Sequence, residues 1–125
     1  MNSPVSGQDE RNLGRSTAAN NRIFILDEAE IREGSVEAYR DAVISGYKPG
    51  ATARGMMLEA IWLSPPLILD GGGNSLYVLW SYPDLGAFWR ARFADTDAKS
   101  EWWKQTASMT VSRKRSFLTD FAVAQ

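Results

Sequence analysis

The sequence predicts an α+β protein of the ferredoxin-like class, a β-α-β-β-α-β chain whose four strands form one antiparallel sheet with helices on a single face. Three observations lead there. Strand and helix signals follow in that order from Arg22 to Leu118, and the second helix is announced by Leu79-Trp80-Ser81-Tyr82-Pro83-Asp84-Leu85. The chain has 125 residues, room for one hydrophobic core.

Each element has a local cause. Residues 1–21 mix Ser, Asn, Gly, Gln and charges with only Val5 and Leu13 as sizeable aliphatics, so a disordered N-terminal arm is expected there. A single domain is expected over residues 22–121, and a C-terminal tail over 122–125. The continuous apolar run Ile23 to Leu26 suits a strand covered on both faces. Ser35 is placed to cap a helix whose Val36, Tyr39, Val43 and Tyr47 recur on one face, and Pro49 with Gly50 is expected to stop it. Residues 55–63 read as the second strand, and Leu76 to Trp80 as the third, after a loop holding Pro65, Pro66 and Gly71 to Gly73. Pro83 and Asp84 open the second helix, with Leu85, Phe88, Trp89 and Phe93 as its apolar stripe and a break at Asp95 to Asp97. A short helix over Ser100 to Ala107 and an alternating strand over 111–118 complete the chain.

Composition removes most reaction classes. The chain contains no His and no Cys, which excludes serine-histidine and cysteine-histidine triads, disulfides, histidine-ligated haem and zinc or iron sites built on imidazole or thiolate. A net charge of −1 gives no basic excess to attract nucleic acid or an anionic membrane. No apolar run approaches the roughly 18 to 20 residues of a membrane span, and no signal-peptide pattern opens the chain, so a cytoplasmic protein is expected. Asp27, Glu28 and Glu30 alternate across a strand and cannot all reach one ion, while Asp95, Asp97 and Glu101 read as a helix cap and a solvated face. Neither a metal nor a cofactor is expected. Gly71-Gly72-Gly73-Asn74 lacks the Lys-Ser/Thr and the following helix of a phosphate loop, so it reads as a turn.

The candidate site residues are carboxylates and aromatics. Glu59 stands between Leu58 and Ala60 in an apolar strand, where burial favours a neutral carboxyl unless a cation partners it. It is a candidate acid or base, but the favoured reading is structural: a partner for Arg113 or Arg115 across the sheet, or a side chain at the rim of the dimer interface. Asp27 follows the first apolar run and is a candidate at a cavity mouth or a solvated strand end. Tyr39 or Tyr47 is a candidate proton carrier. Tyr47, Trp62, Tyr77, Trp80, Trp89 and Trp103 offer more phenol and indole than a small core requires, which suits a flat, hydroxylated ligand. Arg92, one turn past Phe88, is the cation for an acidic or phenolic group, or else a snorkelling surface side chain.

Two stretches carry a family resemblance: Ile31-Arg32-Glu33-Gly34-Ser35-Val36-Glu37-Ala38-Tyr39, and Val78-Leu79-Trp80-Ser81-Tyr82-Pro83-Asp84-Leu85 with Arg90 and Arg92 beyond it. Trp102, Ser112, Arg113 and Leu118 fit the same pattern. With these residues the chain resembles the dimeric α+β barrel superfamily, within it the NIPSNAP-like branch, from Phe24 to Leu118. It departs where the branch's frequent glutamate early in the first strand falls at Ile25, and in a longer Asp70-Gly71-Gly72-Gly73 loop. The resemblance implies a homodimer closed through the outer sheet faces, with a small-molecule cavity between sheet and helices in each subunit. It also implies activities that range from oxidation or cyclisation of aromatic polyketides to isomerisation of small acids, and to none.

Two functions follow as expectations. One is a cofactor-independent enzyme acting on a hydrophobic or aromatic molecule, with Glu59, Asp27 or a tyrosinate moving a proton. The other is a non-catalytic dimer that binds a small apolar ligand or serves as an interaction module. A cavity with an unpaired ionisable group favours the first, and one filled by Trp and Phe favours the second.

Overall fold

The computed structural model describes residues 21–94 and 97–122. The expected arm, but for Asn21, and most of the expected tail lie outside the described residues, as do the first two positions of the expected break at Asp95 to Asp97.

Four strands, β1 (Ile23–Ile31), β2 (Met57–Ser64), β3 (Ser75–Tyr82) and β4 (Thr110–Thr119), form one antiparallel sheet in the order β2-β3-β1-β4. The expected β-α-β-β-α-β order and four-stranded antiparallel sheet are therefore present. β1 outruns the apolar stretch that signals it, because Asp27, Ala29 and Ile31 continue its buried side. Register then sorts the side chains. Ile25 lies between Trp80 and Phe117, Asp27 between Val78 and Arg115, and Ala29 between Leu76 and Arg113, all on the face that the helices cover. The opposite face carries Phe24, Leu26, Trp62, Tyr77 and Leu79, and no helix among the described residues packs on it.

The first helical stretch is longer than expected. α1 (Val36–Ala42) runs through a π turn (Val43–Tyr47) into α2 (Lys48–Ala53), past the expected stop at Pro49 and Gly50. The wide turn closes with the Lys48 N–H donating to the Val43 carbonyl, and Pro49 then stands in the first turn of α2, where a missing N–H leaves no bond broken. Ser35 holds the N-cap position, but its hydroxyl makes no capping bond; φ −108° and ψ 4° keep it out of the extended conformation that capping uses.

Asn74 organises the long β2–β3 connection. Its side-chain carbonyl accepts from Leu69 N–H at 2.8 Å, and its amide donates to the Leu67 carbonyl at 2.9 Å. Gly71, Gly72 and Gly73 all take positive φ, from 88° to 104°, so the triplet is a turn, as read.

α3 (Leu85–Ala94) starts where Asp84 Oδ1 accepts from Ala87 N–H at 2.8 Å. Its buried side is Phe88 and Ala91, a correction to the expected stripe. Trp89 and Phe93 lie about 100° and about 140° round the helix from Phe88, 46% and 81% exposed, and stack on each other at 6.0 Å. α4 (Ala98–Gln105) and one 3₁₀ turn (Ala107–Met109) lead into β4. Among the described residues no helix is long and apolar enough to cross a membrane.

Candidate functional site

A cavity of about 50 Å³ lies between the inner face of the sheet and the helices. Ile25, Tyr82 and Phe117 from adjacent strands form its floor, and Tyr47, Phe88 and Ala91 from the π turn and α3 form its walls. Around these apolar surfaces stand four cations: Arg54, Arg92, Lys99 and Arg115. A second hollow of about 170 Å³, between the π turn, α2 and α4, shares Tyr47, Arg54 and Ala98 with the first and adds Gly46, Gly50 and Trp102. The π turn explains this shape, since it sets Tyr47 at the junction of the two hollows and brings Gly46 close to Trp102 of α4.

The charges are unevenly matched. Arg115 grips Asp27 with two bonds, Nε to Oδ1 at 2.6 Å and Nη2 to Oδ2 at 2.7 Å, and both side chains are buried. Burial alone would lower the Arg115 pKa, but the bonds and charge of Asp27, joined by Tyr47, carry it above its ordinary value. Arg54 donates to Tyr47 Oη at 3.2 Å, Arg92 lies over the Phe88 and Phe117 rings, and Lys99 lies over Trp103. Among the described residues no ion pair joins Arg54, Arg92 or Lys99 to a carboxylate, and no carboxylate lines the inner cavity. Burial pushes the Tyr82 phenol above its ordinary pKa against the pull of Arg54, and burial does the same to Tyr39 against Arg113. Both remain protonated donors near neutral pH.

The expected site residues divide between the two faces of the sheet. Tyr47 and Arg92 line the cavity, and Trp80 packs edge-on beneath Tyr47 at 5.3 Å. Asp27 is on the same inner face, buried and paired, neither a solvated strand end nor an open cavity mouth. Tyr39 is buried against Trp102 at 6.0 Å, away from both hollows. Trp103 is wedged between Lys99 and Arg113, and the buried indole nitrogens of Trp80 and Trp103 have no hydrogen-bond partner among the described residues.

Glu59, Trp62, Tyr77 and Trp89 are elsewhere. Glu59 sits at the irregularity between Leu58 and Ala60, where the extra residue turns it to the outer face. There it accepts from Ser81 Oγ at 2.5 Å and pairs with Arg22 at 3.2 Å, so its partner is neither Arg113 nor Arg115. Trp62 and Tyr77 face each other in register on that outer side, and Trp89 is on the exposed flank of α3. Strand alternation alone could not settle the face of Glu59, because a bulge inverts parity and leaves no mark in the sequence.

Among the polar residues lining the inner cavity, sequence reasoning missed Arg54, Lys99 and Tyr82. Arg54 was legible in principle, since it follows Tyr47 by seven residues, two turns along one helical face. The expected stop at Pro49 hid it. Among the described residues no three potential metal ligands gather.

No protein-family model matches the sequence, and no curated protein sequence matches it. Solved structures do match in fold. A NIPSNAP family protein of unknown function from Agrobacterium tumefaciens is similar over 81% of this chain and 89% of its own, at 12% identity and a TM-score of 0.55. An uncharacterised NIPSNAP domain protein from Burkholderia xenovorans aligns over 82% and 98%, at 15% identity and 0.56. A Nitrosomonas europaea protein provisionally named as an antibiotic biosynthesis monooxygenase aligns over 79% and 89%, at 15% identity and 0.56. The chain thus shares the ferredoxin-like α+β fold of these proteins, in line with the resemblance carried by its own residues.

Proposed function

We propose that this protein is a homodimer that binds a small aromatic or hydrophobic molecule between its helices and its sheet. The observation that carries the reading is the cavity wall itself: Tyr47, Tyr82, Phe88 and Phe117 offer ring surfaces and phenol hydroxyls around a space that core packing leaves open. Binding is favoured over catalysis because both carboxylate oxygens of Asp27, on that face beside the cavity, are engaged by Arg115. Thermal-shift screening of aromatic acids and phenols, followed by an assay of the best binder with no cofactor added, tests this. Stabilisation without turnover is expected, and a panel in which no compound raises the melting temperature overturns the proposal.

A second reading, a cofactor-independent enzyme, is favoured by one feature. Tyr82 and Tyr47 both have Arg54 beside them, which suits delivery of a proton to a developing enolate while the guanidinium steadies the charge. Turnover of a bound phenol or enolisable acid, lost in Tyr82→Phe with binding retained, would establish it.

The outer face supports the dimer. Phe24, Leu26, Trp62, Tyr77 and Leu79 form an apolar surface on which no helix of the described residues packs, and Trp62 is 52% exposed. A second copy meeting it face to face buries both patches at once. Equilibrium sedimentation should give a dimer at micromolar concentration, and a stable folded monomer there would falsify the assignment.

A further inference from the structure

Resting on the binding reading above, we propose that the ligand is a small single-ring carboxylic acid held charge-inward. Its carboxylate enters the inner cavity among Arg54, Arg92 and Lys99, and its ring fills the slot between the π turn and α4.

Charge fixes the first half. The inner cavity presents these three cations, none in an ion pair among the described residues, and Arg115 is already committed to Asp27. At about 50 Å³ the inner space fits one compact anionic group and not a ring system. With no carboxylate of the described residues lining the inner cavity, these cations repel one another, and an entering carboxylate relieves that repulsion while accepting charge-assisted hydrogen bonds. Tyr82, kept protonated by burial, adds a neutral donor.

Shape fixes the second half. Tyr47, Arg54 and Ala98 belong to both hollows, so a molecule anchored at Arg54 extends directly into the outer one. The outer hollow is lined without side chains at Gly46 and Gly50, one turn apart, and is walled by Trp102 and Arg54, which stand at contact distance from them. A β-carbon on Gly46 would already stand 3.5 Å from Trp102 Cζ3, so any longer side chain would occupy the slot. Trp102 provides a flat wall, and Glu101 at the rim repels a carboxylate placed outward, which sets the orientation. With about 170 Å³ in the slot, the combined space is smaller than the roughly 300 to 1,000 Å³ of pockets for drug-sized ligands, which restricts the body to one ring.

The test compares 2-hydroxybenzoate with 2-hydroxybenzamide and inorganic phosphate by calorimetry on the full chain. The acid should bind at least about tenfold more tightly than the amide, in keeping with hydrogen bonds to a charged group. Its affinity should fall as salt rises, and phosphate should compete weakly. Arg92→Gln, at an exposed side chain, and Lys99→Gln should each weaken the acid on the order of tenfold and leave the amide unchanged. Gly46→Val should abolish binding of both ring compounds while phosphate still binds. Equal affinity for acid and amide overturns the charge-inward assignment and leaves the broader binding reading standing. Phosphate as strong as the acid overturns the ring slot. Failure of acid and amide alike overturns the inference, and the thermal-shift panel decides the broader binding reading separately. Gly46→Ala, whose β-carbon fits at contact distance, distinguishes a blocked slot from a misfolded variant: retained binding supports the slot, and loss of the ring compounds in a variant that melts normally overturns its geometry.

Discussion

Arg115 and Asp27 are a register pair on neighbouring strands, and the guanidinium meets the carboxylate edge to edge, with bonds of 2.6 and 2.7 Å. The pair sits under the helices beside the Tyr47 ring, whose centroid is 5.8 Å from the Arg115 guanidinium carbon. Such a bidentate contact satisfies two buried charges at once, and it also fixes the floor on which the cavity stands.

Removing one member of this pair should therefore be costly. Arg115→Met leaves an uncompensated buried carboxylate and should lower unfolding free energy by about 3 to 5 kcal/mol in urea denaturation. The double change Asp27→Leu with Arg115→Met should recover most of that loss. A single variant as stable as the parent would show that the pair is not a structural element.

Asn74 offers a second test, away from the cavity. Asn74→Ala strands the Leu69 N–H and removes the donors to the 64–67 carbonyls, so a loss of roughly 1 to 3 kcal/mol is expected in thermal or urea unfolding. Asn74→Asp keeps the acceptor for Leu69 but buries a carboxylate oxygen against the same carbonyl oxygens, and should be at least as destabilised as Asn74→Ala. Equal stability of all three proteins would mean that water replaces the side chain without penalty.

How far the sequence speaks for itself is visible in particular residues. Alternation and turn residues place all four strands, and the Ser81-Tyr82-Pro83-Asp84 stretch places α3 correctly, because these signals are local. Face assignment is less local. Trp89 and Phe93 share helical spacing with Phe88, yet only the packing of α3 on the sheet decides which flank is buried. Glu59 shows the same limit in a strand, where one bulge residue moves it to the other side. The cavity itself depends on a π turn that Val43 to Tyr47 do not announce, and on Arg54 beyond a proline that is expected to end the helix.

Glu59→Gln provides a direct check on the division between faces. Its ion pair with Arg22 is partly exposed and should contribute less than about 1 kcal/mol. Ligand affinity at the inner cavity should not change, since Glu59 lies across the sheet from it. A tenfold loss of affinity in a stably folded Glu59→Gln protein would place the ligand on the outer side instead.

Alkaline pH should expose the buried phenols. Burial raises the Tyr39 pKa above its ordinary 10.0, against the pull of Arg113, and burial raises Tyr82 likewise against Arg54. The unfolded chain therefore loses these protons first, and it binds fewer protons than the native state once pH passes 10. Stability fully present below pH 10 should decline as pH climbs through the native values. Melting temperatures measured from pH 8 to 11 should thus bend downward at the top of the range. Tyr39→Phe removes one titrating group, so its curve should be flatter there, although the variant starts lower by roughly 1 kcal/mol for the lost hydroxyl contact. The slope is the decisive quantity, because a purely structural role for the phenol shifts the whole curve without changing its shape. Parallel curves for Tyr39→Phe and the parent would assign the alkaline loss to other groups.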